Sequence, residues 1–189
     1  GSGMVMQPEP LGRAIDDIPK SAEGAHIIYL SPQGQRLTQK KVEELTNSHK
    51  HIIMICGHYE GIDERILQKY VDEEISLGDF VISGGELASM VVADAIIRLV
   101  PGVIDADSAK NESFSTGILD YPYYTRPLNY QGMEVPSVLT SGDHKKIAKW
   151  RRQQALLNTA RKRPDLLEGH QLSQEEQEFL AHSLPKKST

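Results

Sequence analysis

The sequence predicts an α/β unit built on a parallel sheet, followed by a smaller helical region. Three observations carry the prediction. Apolar, β-branched runs recur early, His26-Ile27-Ile28-Tyr29-Leu30 and Ile52-Ile53-Met54-Ile55, each followed by a polar segment of helical spacing. Both runs empty into turns punctuated by proline or glycine, Ser31-Pro32-Gln33-Gly34 and Cys56-Gly57-His58-Tyr59-Glu60-Gly61. Charge changes sign along the chain: residues 1–117 carry 10 Lys/Arg against 18 Asp/Glu, and residues 118–189 carry 11 against 8.

Taken in order, a short helix is predicted over about 11–18, then a buried strand over 26–30 ending in the turn 31–34. Residues 37–48 read as a helix with Thr38 as cap and Val42 and Leu45 on one face. The strand 52–55 follows, then a glycine loop and a helix over about 63–70. The runs 74–77 and 80–82 bracket Gly78, and 86–99 is strongly helical, closed by Pro101-Gly102. Strands alternating with helices imply parallel pairing with both sheet faces covered. Residues 1–102 therefore form one domain. Residues 103–117 are polar and aperiodic, a linker or lid, and 118–189 form a second domain, with an aromatic stretch at 120–127 and helices near 143–162 and 173–183.

The bulk numbers bound the function. Of 189 residues, 25% are charged and 39% hydrophobic, an ordinary composition for a water-facing domain. No apolar run approaches the ~20 residues that span a bilayer, so no membrane partner is expected. A single cysteine, Cys56, excludes an internal disulfide framework, and the Cys and His spacings match no zinc site. A reduced, cytoplasmic protein is the reading. Cys56 is expected to be inert packing, His58 to face solvent, and Met4, Met6, Met90 and Trp150 to fill core.

The glycine-flanked turns lie where open α/β sheets hold ligands, outside the carboxyl ends of the strands. Neither a Gly-x-Gly-x-x-Gly dinucleotide fingerprint nor a Gly-Lys-Ser/Thr phosphate loop is present. Tyr59, Glu60, Asp63 and Glu86 stand there instead, a set that suits a nucleoside-type ligand able to carry positive charge. Within 144–164 there are eight Lys/Arg and no acid. Lys145, Lys149 and Arg152 share one helical stripe, with Ile147, Trp150 and Leu157 roughly opposite. Such a block is either a solvated helix face or a polyanion-binding surface, and the lack of interleaved acids favours the second.

Several longer strings resemble one known family. They are Tyr29-Leu30-Ser31-Pro32-Gln33-Gly34, the run from Cys56 to Arg65, Gly78-Asp79-Phe80-Val81-Ile82-Ser83-Gly84-Gly85-Glu86-Leu87, and Tyr124-Thr125-Arg126-Pro127. With Gly132-Met133-Glu134-Val135-Pro136 and the block 139–144, they run in order through the chain. The chain is similar throughout to the bacterial tRNA (guanine-N1)-methyltransferases. The resemblance implies a SPOUT-class α/β fold, a parallel sheet with a deep trefoil knot, and a small helical C-terminal domain. It implies S-adenosyl-L-methionine held by Tyr29, Leu30, Ser31, Pro32 and Gly34, by Gly57, Tyr59, Glu60 and Gly61, and by Ser76, Leu77, Gly78, Asp79, Phe80, Val81, Ile82, Gly84 and Gly85. It also implies a homodimer with active sites shared between subunits, methylation at N1 of guanosine 37 of tRNA, and assistance by Mg2+; no metal ligand is assigned.

By the same resemblance Glu112 is the general base, with Asp120 as fallback, and Arg98 the cation at the reacting base. Without it, Arg98 reads as a complement to a helix dipole and Glu112 as linker charge. Arg126, Lys145, Lys149, Arg152, Arg161, Lys162 and Arg163 become candidates for tRNA contact. Many members carry Asp at the position of Glu112, and proline at that of Ala88. The family has further residues, including a strand, ahead of the match at Gly1-Ser2-Gly3-Met4. The chain is thus expected to be a fragment, weak in catalysis while keeping cofactor affinity. Two rival functions are a non-catalytic tRNA-binding module and a knotted methyltransferase acting on another RNA.

Overall fold

The computed structural model describes residues 3–19, 24–104 and 112–184. The chain divides into two compact units, Gly1–Asp105 and Ala106–Thr189. In the first, β1 (His26–Arg36) lies between β2 (Ile52–Ile55) and β3 (Glu73–Ser76) in a parallel sheet. Four helices cover it: α1 (Pro8–Asp17), α2 (Gln39–Ser48), α3 (Glu64–Tyr70) and α4 (Gly85–Ile97).

The alternation of side chains along β1 explains why its sequence is apolar without a break. Ile27 and Tyr29 join Ile53 and Ile55 against Ile15 of α1 and Ile66 of α3. Ile28 and Leu30 point the other way, with Ile75, against Leu45 of α2 and Ala88 and Val92 of α4. Ile28, Leu45, Ile75 and Val92 have no exposure. Local chemistry sets the helix starts. Thr38 accepts the Lys41 amide at 3.2 Å, as expected. Asp63 accepts the Arg65 amide at 2.9 Å and its guanidinium at 2.8 Å, and that guanidinium holds the Asp63 carboxyl down at about 2.

β1 departs from the expected pattern after Leu30. Residues 31–36 stay in the strand where a turn was predicted, but the register breaks. Leu30 pairs with Ile75, the chain swings out through 31–34, and Gln35 returns to pair with the same Ile75. Proline and glycine there mark a bulge in a continuing strand, a use the turn propensities do not separate from a true turn. Gly34 makes the return possible. A Cβ at Gly34 would sit inside contact distance of the Glu74 and Ile75 backbones.

In the second unit, α5 (His144–Lys162) packs on α6 (Gln174–Ser183) around Ile118, Ala155, Leu156 and Leu180. Thr159, with no exposure, donates its hydroxyl to the Ala155 carbonyl at 2.7 Å and accepts the Leu119 amide at 2.9 Å. The buried face of α5 is therefore Ala155, Leu156 and Thr159, while the expected trio Ile147, Trp150 and Leu157 is only half-buried. Of the segment read as a linker, 105–111 lies outside the described residues. Residues 112–117 form tight turns, with the Phe114 amide on the Ile118 carbonyl at 2.8 Å and the Gly117 amide on the Phe114 carbonyl at 3.0 Å. A hairpin of β4 (Asn129–Tyr130) and β5 (Met133–Glu134) went unpredicted. Its signal is Gln131-Gly132, both at positive φ, a two-residue turn that suits the strand twist.

Replacing Gly34 by Ala forces the β1 return away from β3. Urea unfolding should show a loss of about 1–3 kcal/mol.

Candidate functional site

Three chain segments meet at the carboxyl ends of β1, β2 and β3 and enclose a cleft of about 180 Å3. They are 29–32 from β1, 57–61 after β2 and 75–85 after β3. Glycine fixes how closely they approach. The Gly85 amide donates to the Gly57 carbonyl at 3.0 Å. A Cβ on Gly85 would stand 2.6 Å from the Cys56 Cα, and one on Gly57 would stand 2.7 Å from the Tyr29 hydroxyl oxygen. These glycines fit loop against loop, rather than clearing space for a ligand as their position suggested. Cys56 is half-buried at this junction.

Side chains tie the same loops. His58 Nε2 lies 3.2 Å from a Glu86 carboxylate oxygen, joining the loop after β2 to the first turn of α4. Tyr59 holds φ at 62°, left-handed backbone that a non-glycine residue adopts at a cost. The Tyr29 hydroxyl is pushed up by burial and next by the Glu74 carboxylate, so it stays neutral. Ser76 is committed to its own loop through the Gly78 amide at 3.1 Å. Glu60 accepts the Gly3 amide at 2.6 Å through one oxygen.

The lining, part polar and part apolar, suits a nucleoside-type ligand. Phe80 (56% exposed), Val81 (83%) and Ile82 (39%) lie open on the third segment, an apolar surface that a flat ring can cover. Glu60 and backbone groups supply the polar edge. Two of the predicted contact positions stand off the lining. Gly34 faces β3, and Asp79 turns outward to the Arg36 guanidinium at 2.7 Å. The other predicted positions line the cleft, together with His58, Ile75, Ser83 and Ala88. His58 is exposed, as read from the sequence; its pairing with Glu86 had no sequence signal.

Arg98 caps the C-terminal end of α4, its amide on the Asp94 carbonyl at 3.1 Å. Glu112 and Asp120 share a recess of about 260 Å3 in the second unit, with Arg151 and Arg152 on its wall. Asp120 is held on several sides. Its amide donates to the Ser113 hydroxyl at 3.0 Å, its carbonyl accepts from Asn158 at 2.9 Å, and its carboxylate accepts the Tyr123 hydroxyl at 3.0 Å. The Tyr123 hydroxyl is pushed up to about 12, by burial and by Asp120. Because the Tyr123 side chain is 67% exposed, the bond to Asp120 is the weightier of the two causes.

The acid-free basic block is not acid-free in space. Lys149 pairs with Glu175 at 2.5 Å and Arg152 with Glu176 at 2.7 Å, both acids from the first turn of α6. Lys146 pairs with Asp143 at 3.3 Å and Arg163 with Asp165 at 2.6 Å. Among the described residues, Arg126, Lys145, Arg161 and Lys162 have no such partner. No group of three or more His, Cys, Asp or Glu among them is placed to hold a metal ion, and no helix is long and apolar enough to cross a membrane.

The chain is thus an α/β protein with a cleft at the carboxyl ends of its parallel strands and an appended helical unit. Comparison with known proteins narrows this. Residues 1–169 match the family model for tRNA (Guanine-1)-methyltransferase TrmD. Over 182 residues the chain is 50% identical to the tRNA (guanine-N(1)-)-methyltransferase of Halalkalibacterium halodurans, a match covering 95% of this chain and 74% of the relative. The same figures hold for the proteins of that name from Bacillus cereus strain AH820 and Bacillus anthracis strain CDC 684. The chain belongs to the tRNA (guanine-1)-methyltransferase family.

The α5–α6 contact gives a pH prediction. Burial raises the Glu176 carboxyl, but the Arg152 guanidinium and the Ser173 amide outweigh it and hold the group below its usual value of 4.5. A depressed carboxyl contributes stability above its unfolded pKa and loses it as pH falls through the folded one. The stability of the second unit against unfolding, followed by Trp150 fluorescence, should fall as pH drops below about 4.5. Arg152→Ala should flatten that dependence.

Proposed function

We propose that this chain transfers a methyl group from S-adenosyl-L-methionine to N1 of the guanosine at position 37 of tRNA. The observation that carries the reading is the cleft at the carboxyl ends of the parallel strands, in a chain of this family. The segments 29–32, 57–61 and 75–85 are assigned to the cofactor: Glu60 to its polar edge, Phe80, Val81 and Ile82 to its apolar cover. When bound, the cofactor would supply an electrophilic methyl group on a positively charged sulfur, the carbon–sulfur bonding pair staying with the sulfur.

The chain's own residues prepare the nucleophile. Guanine N1 carries a proton at neutral pH, so its lone pair must be freed first. The Glu112 carboxylate accepts that proton, with Asp120 as the alternative in the same recess. The Arg98 guanidinium offsets the charge that grows on O6 as the N1–H bond breaks. Alignment of N1 with the methyl carbon supplies the rest. The magnesium ion of the family is given no part in these steps.

The wider reading follows the family: a SPOUT-class knotted sheet, a cytoplasmic enzyme and a homodimer with shared sites. The return of β1 to Ile75 is consistent with a knotted path. In support of the dimer, α4 is apolar on more than the face it packs against the sheet. One face packs on the sheet, whereas Leu87, Met90, Val91 and Ile97 are 64%, 66%, 50% and 52% exposed. Exposed apolar residues gathered on one helix face, here interrupted by Asp94, are a common mark of a partner surface. Met90, expected in the core, belongs to that face.

The test is methylation with protein in excess over tRNA, using transcripts with and without guanosine at position 37. 1-Methylguanosine should form on the first only. Glu112→Ala and Arg98→Ala should slow product formation by about 10²-fold or more while leaving affinity for S-adenosylhomocysteine unchanged. Equal loss of rate and affinity, or product on both transcripts, would contradict the assignment.

A further inference from the structure

The loop after β2 carries two of the proposed cofactor contacts, Tyr59 and Glu60, and it is held in two different ways. Toward residues 4–6 the ties are backbone. The Glu60 amide donates to the Met4 carbonyl at 3.1 Å, the Met6 amide to the Gly61 carbonyl at 3.0 Å, and the Asp63 amide to the Met6 carbonyl at 3.2 Å. Toward α4 one backbone bond, from the Gly85 amide to the Gly57 carbonyl, stands at the root of the loop. Beyond it the span is made by side chains, with His58 Nε2 lying 3.2 Å from a Glu86 carboxylate oxygen.

Two further observations give this pair a place in the site. The His58 ring meets the Tyr59 ring edge-on, with centroids 6.1 Å apart and planes at 64°. Tyr59 is 58% exposed, so few groups fix where its ring points, and His58 is one of them. Gly84 shows that room is kept for the pair. Its φ is −169°, extended backbone that any residue adopts, so conformation does not call for glycine there. A Cβ on Gly84 would stand 2.6 Å from the other Glu86 oxygen and 3.3 Å from His58 Nε2. His58 belongs to the lining of the cleft and Glu86 does not, so the carboxylate acts on the cleft through the imidazole.

We infer that His58 is a positioning residue for the cofactor: held by Glu86, its imidazole fixes the Tyr59 ring and the span of the loop 57–61, and so sets cofactor affinity rather than the rate of methyl transfer. This rests on the proposed function for the identity of the ligand. The pair needs a hydrogen on Nε2, which a side-chain amide of similar reach also supplies. Both partners face water, His58 at 46% and Glu86 at 57% exposure, which keeps the effect to a few-fold.

Calorimetric titration of S-adenosylhomocysteine into the chain tests the inference without any methyl transfer. His58→Ala should weaken binding on the order of threefold to fivefold, and His58→Gln should recover most of that loss. Glu86→Ala should weaken binding to a similar extent. The double alanine variant should lose no more than His58→Ala alone, since both changes remove the same contact. In methyl transfer, His58→Ala should raise KM for S-adenosyl-L-methionine by the same factor and hold kcat within about twofold. Unaltered affinity in both alanine variants, losses that add in full in the double variant, or a fall in kcat matching the rise in KM would overturn the inference. Coupled losses of affinity without 1-methylguanosine would leave it standing and count against the catalytic reading. Formation of 1-methylguanosine with unaltered affinity in the variants would do the reverse, and an unaltered chain that binds no S-adenosylhomocysteine would overturn both.

Discussion

The double use of Ile75 by β1 organises the first unit. A strand that pairs at Leu30, swings outward and pairs again at Gln35 must carry its intervening residues clear of the sheet at the carboxyl end. That excursion supplies one wall of the cleft. The other walls come from the chain leaving β2 and β3, and they close on it because Gly57 and Gly85 have no side chain to hold them apart. Core packing fixes the position of Ile75, which has no exposure, so the geometry of the cleft is inherited from the hydrophobic interior.

The second unit uses charge in two ways, and the difference is spatial. Lys149 and Arg152 look like a binding stripe in sequence, yet both are bonded to the first turn of α6, where Glu175 and Glu176 also favour the helix N-terminus. Much of this basic block therefore holds two helices together. Surface pairs of this kind contribute little energy each, but they lower the charge left for RNA. On the proposed function, phosphate contact would fall more to the cations without acid partners among the described residues, Arg126, Lys145, Arg161 and Lys162. Arg151, lying over the Tyr121 ring, combines charge with a flat surface.

Much of the architecture was legible because it rests on local patterns. The strands 26–30 and 52–55, the Thr38 cap and the helices of both units follow from periodicity and capping chemistry. What escaped depends on contacts distant in sequence. The extension of β1 to Arg36 needs β3 beside it, and the acids facing Lys149 and Arg152 lie more than twenty positions along. His58 meets Glu86 only after two loops converge. The buried face of α5 was misassigned for a similar reason: Thr159 is buried because the Leu119 amide needs its hydroxyl. The cleft positions were found largely through family resemblance, since glycines flanking a turn do not name a ligand. Gly34 and Asp79 belong to the same strings but serve the sheet and an outward ion pair.

The account turns on one cleft built by three separate segments. Hydrogen–deuterium exchange with and without S-adenosylhomocysteine measures that directly. Amides in 29–36, 57–61 and 77–85 should gain protection together, at one ligand concentration dependence, with 164–184 unchanged. Protection confined to a single segment, or centred on the second unit, would contradict it.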